Sequence, residues 1–350
     1  MSGGSDIWRR FYFWPAGGRI KPFYLFKAKS GIIKKETFVK MSNDKINVLK
    51  LSGVRRLIQT TSPAAIRSIM QRHGISCRKS LGQNFLIDNN ISDKIITAAE
   101  LTAADLVVEI GPGLGALTAR IAGAAGKVIA VEVDRGLLAV LSEALAGIQN
   151  VELILGDALK VDFDRLVEEK TGGEYGRASK KYKLVANLPY YITSPVLMRL
   201  LLGRFNISVV VVMVQAEVAE RLAASPGSKA YGSLSLAVQY FTRPEMLFRV
   251  PRTVFYPQPG VDSAVVRLSV RTEPAVAVRD EDMFFNIVRS AFGKRRKTLL
   301  NSLAGSGLGI DRETCLRALQ NAGIDPGRRG ETLSIAEFAL LTDSVLEANS

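Results

Sequence analysis

The stretch Val107–Ala122, VVEIGPGLGALTARIA, decides the fold. Its first four residues, three of them apolar around Glu109, read as a buried strand. Three glycines then alternate at 111, 113 and 115, and a helical pattern resumes. Glycines there let the backbone pass close to a ligand, and the helix start that follows offers free N–H groups. Strand, glycine turn and helix open a βαβ unit, so the rest of the chain is read for its continuation.

That continuation is present. Strands are expected at 105–110, 127–132, 151–155, 183–187 and 207–214, and helices at 115–122, 134–146, 195–202 and 215–223. Near-continuous apolar strands such as ISVVVVMV (207–214) imply burial on both faces, hence a parallel sheet covered by helices on each side. Upstream, TSPAAIRSIMQRHG (61–74) reads as a helix capped by Ser62 with Pro63 at its first position and Ile66, Ile69 and Met70 on one face. His73 sits at the end of that helix as a capping or exposed residue. A loop then feeds a second helix before Leu101. YGSLSLAVQYF (231–241) is a helix candidate. MLFRV (246–250) and SAVVRLSV (263–270) flank a proline-rich turn and read as an antiparallel pair at the sheet edge. Beyond a boundary in RTEPAVAVRD (271–280) the pattern is helical, with four helices. The last opens on a capping-box spacing, Ser334 to Glu337. The expected organisation is a basic, disordered extension over 1–60, a sheet domain over 61–275 and a small all-α domain over 276–350.

Composition narrows the chemistry. The chain has 350 residues and a net charge of +14. Such charge points to a polyanion, nucleic acid before membrane. Residues 1–60 carry +10 of it, so the body is mildly basic and its cations count only where they cluster. Cys77 and Cys315 are far apart and His73 is the sole histidine, which argues against a disulfide scaffold, a cysteine zinc site, a two-histidine metal site and a Ser-His-Asp triad. No stretch approaches the roughly 20 apolar residues of a membrane helix. A cytoplasmic monomer without a metal is expected.

The ligand is read from the strand ends. Gly111, Gly113 and Ala116 satisfy the looser GxGxxA dinucleotide form, whereas Glu109 with Gly111, Gly113 and Gly115 matches the E-x-G-x-G-x-G spacing of S-adenosylmethionine sites. Glu132 ends the next strand, 21 residues after Gly111, where a carboxylate can accept both hydroxyls of a ribose. Both cofactors have that ribose, so Glu132 does not choose between them. Asp157, after the third strand, can accept from an adenine amine. Acids at three successive strand ends favour an adenosine-containing cofactor. The fourth strand ends on Asn187-Leu188-Pro189-Tyr190. An aromatic amine is a poor nucleophile because its lone pair is delocalised. The Asn187 carbonyl and the Leu188 backbone carbonyl could accept its hydrogens. Pro189 fixes the direction of that backbone, and Tyr190 offers a face for a base.

Asn-Leu-Pro-Tyr resembles the target-amine motif of amino-methyltransferases acting on adenine. With SLGQNFLID, EIGPGLGALT, GDAL, NLPYYITSPVL, PGSKAYGSLS, FYPQPGVDSAVVRL and AFGKRRKTLLNSL, the chain over about 62–345 resembles the small-subunit ribosomal RNA adenine dimethyltransferases. The resemblance implies an α/β, Rossmann-like S-adenosylmethionine-dependent sheet with a small helical domain. It also implies dimethylation of two adjacent adenines near the 3′ end of 16S rRNA. By position it puts Asn84, Leu86, Gly111, Gly113, Glu132, Asp157 and Asn187 at the cofactor, Tyr190 against the target adenine and Phe255 on its other side. It gives the helical domain to rRNA. There Lys294, Arg295, Arg296 and Lys297 are four consecutive bases in a mildly basic body, read as lying on a helix, where some of them should meet phosphates. Ala216 stands where that family usually has lysine. A large-subunit rRNA dimethylase, a non-enzymatic RNA-binding or transcription factor on this fold, and a nicotinamide dehydrogenase are the rivals. The helical domain argues against the first, the intact Asn-Leu-Pro-Tyr set against the second, and the loose glycine match against the third.

Overall fold

Each strand of the βαβ series ends in a sequence that turns the chain back, and the computed structural model shows what those turns assemble. It describes residues 62–78, 81–294 and 296–349; the expected extension over 1–60 lies outside them. Helix α1 (Pro63–Arg72) begins at Ser62, whose side chain accepts from the Ala65 N–H, and buries Ile66 and Met70. The two-residue strand β1 (Phe85–Leu86) and helix α2 (Asn89–Ala98) follow. The series then runs β2 (Leu106–Ile110), α3 (Ala116–Ala124), β3 (Lys127–Glu132), α4 (Arg135–Ala144), β4 (Val151–Leu155), α5 (Phe163–Thr171), β5 (Tyr182–Asn187), α6 (Thr193–Leu202) and β6 (Ile207–Gln215). After it come α7 (Ala216–Leu222), α8 (Ser233–Phe241), β7 (Thr242–Val250), β8 (Phe255–Tyr256) and β9 (Ser263–Val270).

Seven strands form one sheet in the order β4-β3-β2-β5-β6-β9-β7. The five strands of the βαβ series pair in parallel, and β9 pairs antiparallel with β6 and β7. The expected antiparallel pair is therefore real and lies at the sheet edge, with Pro244 on the outermost strand, where a missing N–H costs no ladder bond. Successive residues of β2 are all buried, as two covered faces require. On one face Val107, Val128, Val185 and Val211 pack with Ile91 and Ile95 of α2 and Leu117 and Ile121 of α3. Each such aliphatic chain, fully buried, contributes about 1.5–3 kcal/mol.

The C-terminal region is helical: α9 (Glu281–Gly293), α10 (Leu299–Ala304), α11 (Arg312–Asn321) and α12 (Ile335–Ala348). Asp280 caps α9, and the Ser334–Glu337 capping box of α12 closes in both directions. An aromatic cluster seats α9 on α8: Tyr240 lies 5.1 Å from Phe284 and 5.3 Å from Phe285 between ring centroids. The Tyr231 hydroxyl donates to the Leu333 carbonyl at 3.0 Å. Among the described residues no helix is long and apolar enough to cross a membrane.

One element reads differently from the sequence. The basic run, expected on a helix, is the connection between α9 and α10. Lys294 leaves helical geometry at φ −132°, ψ 81°. Thr298 then caps α10, its hydroxyl accepting from the Asn301 N–H. A cap residue needs extended backbone before the new helix, so the run cannot continue the old one. Lys294, Arg296 and Lys297 thus lie on a turn, and Arg295 lies outside the described residues.

Candidate active site

The glycine turn after β2 is left-handed at Gly111 (φ 69°), Gly113 (φ 61°) and Gly115 (φ 84°). A Cβ on Gly113 would stand 3.1 Å from the Phe85 ring and one on Gly115 3.1 Å from Leu141, so these positions require glycine twice over. Gly115 is also the N-cap of α3 and supplies no capping side chain. The free N–H groups of that first turn are left for a ligand.

Glu132 closes β3 beside this turn and is buried. Its Oε1 accepts from the Asp134 N–H at 2.8 Å and its Oε2 from the Gly113 N–H at 3.4 Å. Both oxygens are thereby oriented, each with a lone pair to spare. Burial raises the Glu132 pKa above the usual carboxylate range, opposed by these N–H donors. Asp157 follows β4, half-buried. Its Oδ1 accepts from the Leu159 N–H at 2.9 Å, and Lys160 lies 3.7 Å from Oδ2. Glu109, on β2 below the turn, is buried, and its Oε2 has no hydrogen-bond partner among the described residues. Burial, only partly opposed by the Thr118 hydroxyl and reinforced by Glu132, pushes its pKa up to about 8.

The fourth strand end brings the remaining groups. Asn187 Nδ2 donates to the Asn84 carbonyl at 3.2 Å. Only the amide nitrogen can make that bond, so Oδ1 is held on the opposite side as an acceptor. The Asn84 side chain in turn donates to the Gly82 carbonyl at 3.0 Å. The Leu188 N–H is spent on the Met213 carbonyl at 3.1 Å, and its side chain is buried. The Pro189 carbonyl accepts from the Ile192 N–H and the Thr193 hydroxyl, both at 3.1 Å, which fixes the turn. Tyr190 is half-buried and its hydroxyl pairs with Ser263 Oγ at 2.7 Å. Burial raises its pKa, so it stays a neutral phenol.

The structure thus brings together Asn84, Gly111, Gly113, Glu132 and Asn187, with Asp157 on the neighbouring strand end. It places two expected residues, Phe255 and Leu86, differently. Phe255 pairs with Leu86 across β1 and β8 and is enclosed in the core with Ile91, Val250 and Val265. At 3% exposure it presents no open ring face for a base. The Leu86 side chain enters the same core, which leaves only its backbone to a cofactor. The basic turn lies in the helical region. At Ala216 the N–H donates to the Asp262 carbonyl at 3.0 Å. Sequence reasoning missed Tyr191, which is 44% exposed and whose ring lies over Gly82, where a Cβ would come within 3.2 Å of it. A second aromatic directly after the motif was the available signal. Among the described residues no cluster of three His, Cys, Asp or Glu is placed to hold a metal.

Comparison with known proteins gives the arrangement a family. The model of the ribosomal RNA adenine dimethylases matches residues 74–344. The protein of Pelotomaculum thermopropionicum named ribosomal RNA small subunit methyltransferase A is 71% identical over 292 residues, which is 83% of this chain and 99% of that one. The protein of the same name from Moorella thermoacetica is 56% identical over 281 residues, 80% and 96% of the two chains. Among solved structures, a dimethyladenosine transferase from Plasmodium falciparum superposes with a TM-score of 0.61 at 27% identity, covering 73% of this chain and 95% of that one. The 23S rRNA methyltransferase ErmE superposes with a TM-score of 0.57 at 26% identity, covering 75% and 99%. The chain belongs to the ribosomal RNA adenine dimethylase family and is an rRNA adenine dimethyltransferase.

Proposed function

We propose that the protein uses S-adenosylmethionine to dimethylate the exocyclic amines of two adjacent adenines near the 3′ end of 16S rRNA, within the small ribosomal subunit. The observation that carries this reading is the Asn187 carboxamide. Its nitrogen is pinned by Asn84, so its oxygen is preset to accept from an amine. The donor set suits the cofactor: Glu132 keeps lone pairs for ribose hydroxyls, and the glycine turn leaves backbone N–H groups and space beside it. S-adenosylmethionine supplies an electrophilic methyl group on a sulfonium.

Gly111, Gly113, Glu132 and Asp157 hold the donor, with Asn84 and the Leu86 backbone beside them. Asn187 Oδ1 and the Leu188 carbonyl would accept the amine hydrogens, which leaves the nitrogen lone pair available as the nucleophile. Tyr190 bounds the base on one face. Catalysis is positioning, and the charged product amine is acidic enough to lose its proton to water without a protein base. Residues 61–275 carry this chemistry. Residues 276–350, with the basic run Lys294–Lys297, contact rRNA phosphates. Two relatives named for the small subunit support that subunit as the substrate. Incubation with unmethylated small subunits and labelled S-adenosylmethionine, followed by mapping of the modified bases, tests the reading. Label on large-subunit rRNA alone would overturn it.

A further inference from the structure

The segment before β1 reaches both ends of the crevice. Asn84 holds the Asn187 carboxamide, as described. Its neighbour Gln83 points the other way: Gln83 Nε2 donates to Asp134 Oδ2 at 2.9 Å, and Gln83 Oε1 accepts from the Arg78 N–H at 2.8 Å. Asp134 is buried. Its Oδ1 accepts from the Gly136 N–H at 2.9 Å, which caps α4, and the Arg78 guanidinium lies 3.6 Å away. The Asp134 N–H is the donor that orients Glu132 Oε1. The Gln83 side chain is therefore two hydrogen bonds from the carboxylate assigned to the ribose. Both polar ends of Gln83 are occupied, so its geometry is fixed rather than incidental.

We propose that Gln83 is a positioning residue of the methyl-donor site, which fixes Asp134 and through its N–H the orientation of Glu132. This rests on the reading that Glu132 takes the donor's ribose. Changing Gln83 to glutamate keeps the acceptor for the Arg78 N–H and alters one contact: the donor facing Asp134 becomes a second carboxylate. Two carboxylates at hydrogen-bond distance repel, so Asp134 and the N–H on Glu132 must shift. Changing Asp134 to asparagine in that background restores the bond with its polarity reversed. An asparagine oxygen can still cap α4.

The test is calorimetric titration of the full-length protein with S-adenosylmethionine, with a thermal melt of each variant to establish that it is folded. Gln83→Glu is expected to bind about tenfold more weakly or worse, and the double variant Gln83→Glu with Asp134→Asn to return to within about threefold of the parent. A Gln83→Glu protein that binds like the parent, or a double variant as weak as the single one, overturns the proposal. A parent that binds no S-adenosylmethionine overturns the donor reading and this proposal with it.

Discussion

Replacing Glu109 by glutamine should change how stability depends on pH, in a direction the structure dictates. The carboxyl sits on the central strand with one oxygen unpartnered, and burial pushes its pKa up to about 8 from an ordinary 4.5. Between those values the folded protein holds a proton that the unfolded chain has released. Stability carried by the parent must therefore fall as pH rises through that window. From about pH 5 to about pH 7.5, at about 1.36 kcal/mol per unit, the loss from this one group is roughly 3 kcal/mol, as an upper bound. Glu109→Gln cannot titrate, so this part of the slope disappears, while any constant cost of the new amide shifts its curve without tilting it. Urea denaturation of parent and variant at a series of pH values isolates the effect, because every other group titrates in both. The variant should gain on the parent steadily from about pH 5 to about pH 7.5. Parallel curves would refute the reasoning and show that Glu109 is charged in the folded state.

Asn187→Ala removes the acceptor for the amine, worth roughly 1–3 kcal/mol, so methyl transfer should fall about tenfold to hundredfold while calorimetric S-adenosylmethionine affinity changes less. Near-normal turnover would remove Asn187 from the chemistry. Changing Arg295 and Arg296 together to alanine should weaken small-subunit binding and flatten its log–log salt slope by about one to two units, with S-adenosylmethionine affinity unchanged. A parent slope in filter binding would return the turn to solvent. Phe255→Ala should cost about 3–5 kcal/mol of stability in chemical denaturation, as for other enclosed aromatic rings. A cost below about 1 kcal/mol would mean that the ring is not held in the core.

The parallel sheet was legible because each strand is an apolar run bounded by a turn signal, and all five lie where the pattern puts them. The acids at the strand ends followed from that placement. Helix α5 was overlooked: FDRLVEEKT carries few apolar residues, although Asp162 before it and Gly172 after it are ordinary start and stop signals. Strands β1 and β8 have two residues each, too short for any period, and their pairing is set by tertiary packing alone. The burial of Phe255 follows from that pairing and was equally invisible. The basic turn was misread for a nearer reason: Thr298 announces a new helix within RRKTLLN, but the four cations before it were read as part of one helix.

The pairing of β1 with β8 also has a temporal meaning. Phe85 and Leu86 meet Tyr256 and Phe255, partners about 170 residues apart in sequence, and such distant contacts form late. A chain leaving the ribosome exposes its N-terminal part first. The glycine turn and its neighbouring strands can assemble while synthesis continues, but residues 84–86 have no partner strand until β8 emerges. Until then the Asn187 amide lacks its fixed anchor. A nascent chain of this protein can therefore form its glycine turn well before the Asn187 amide is anchored, because that anchor waits for the last strands of the sheet.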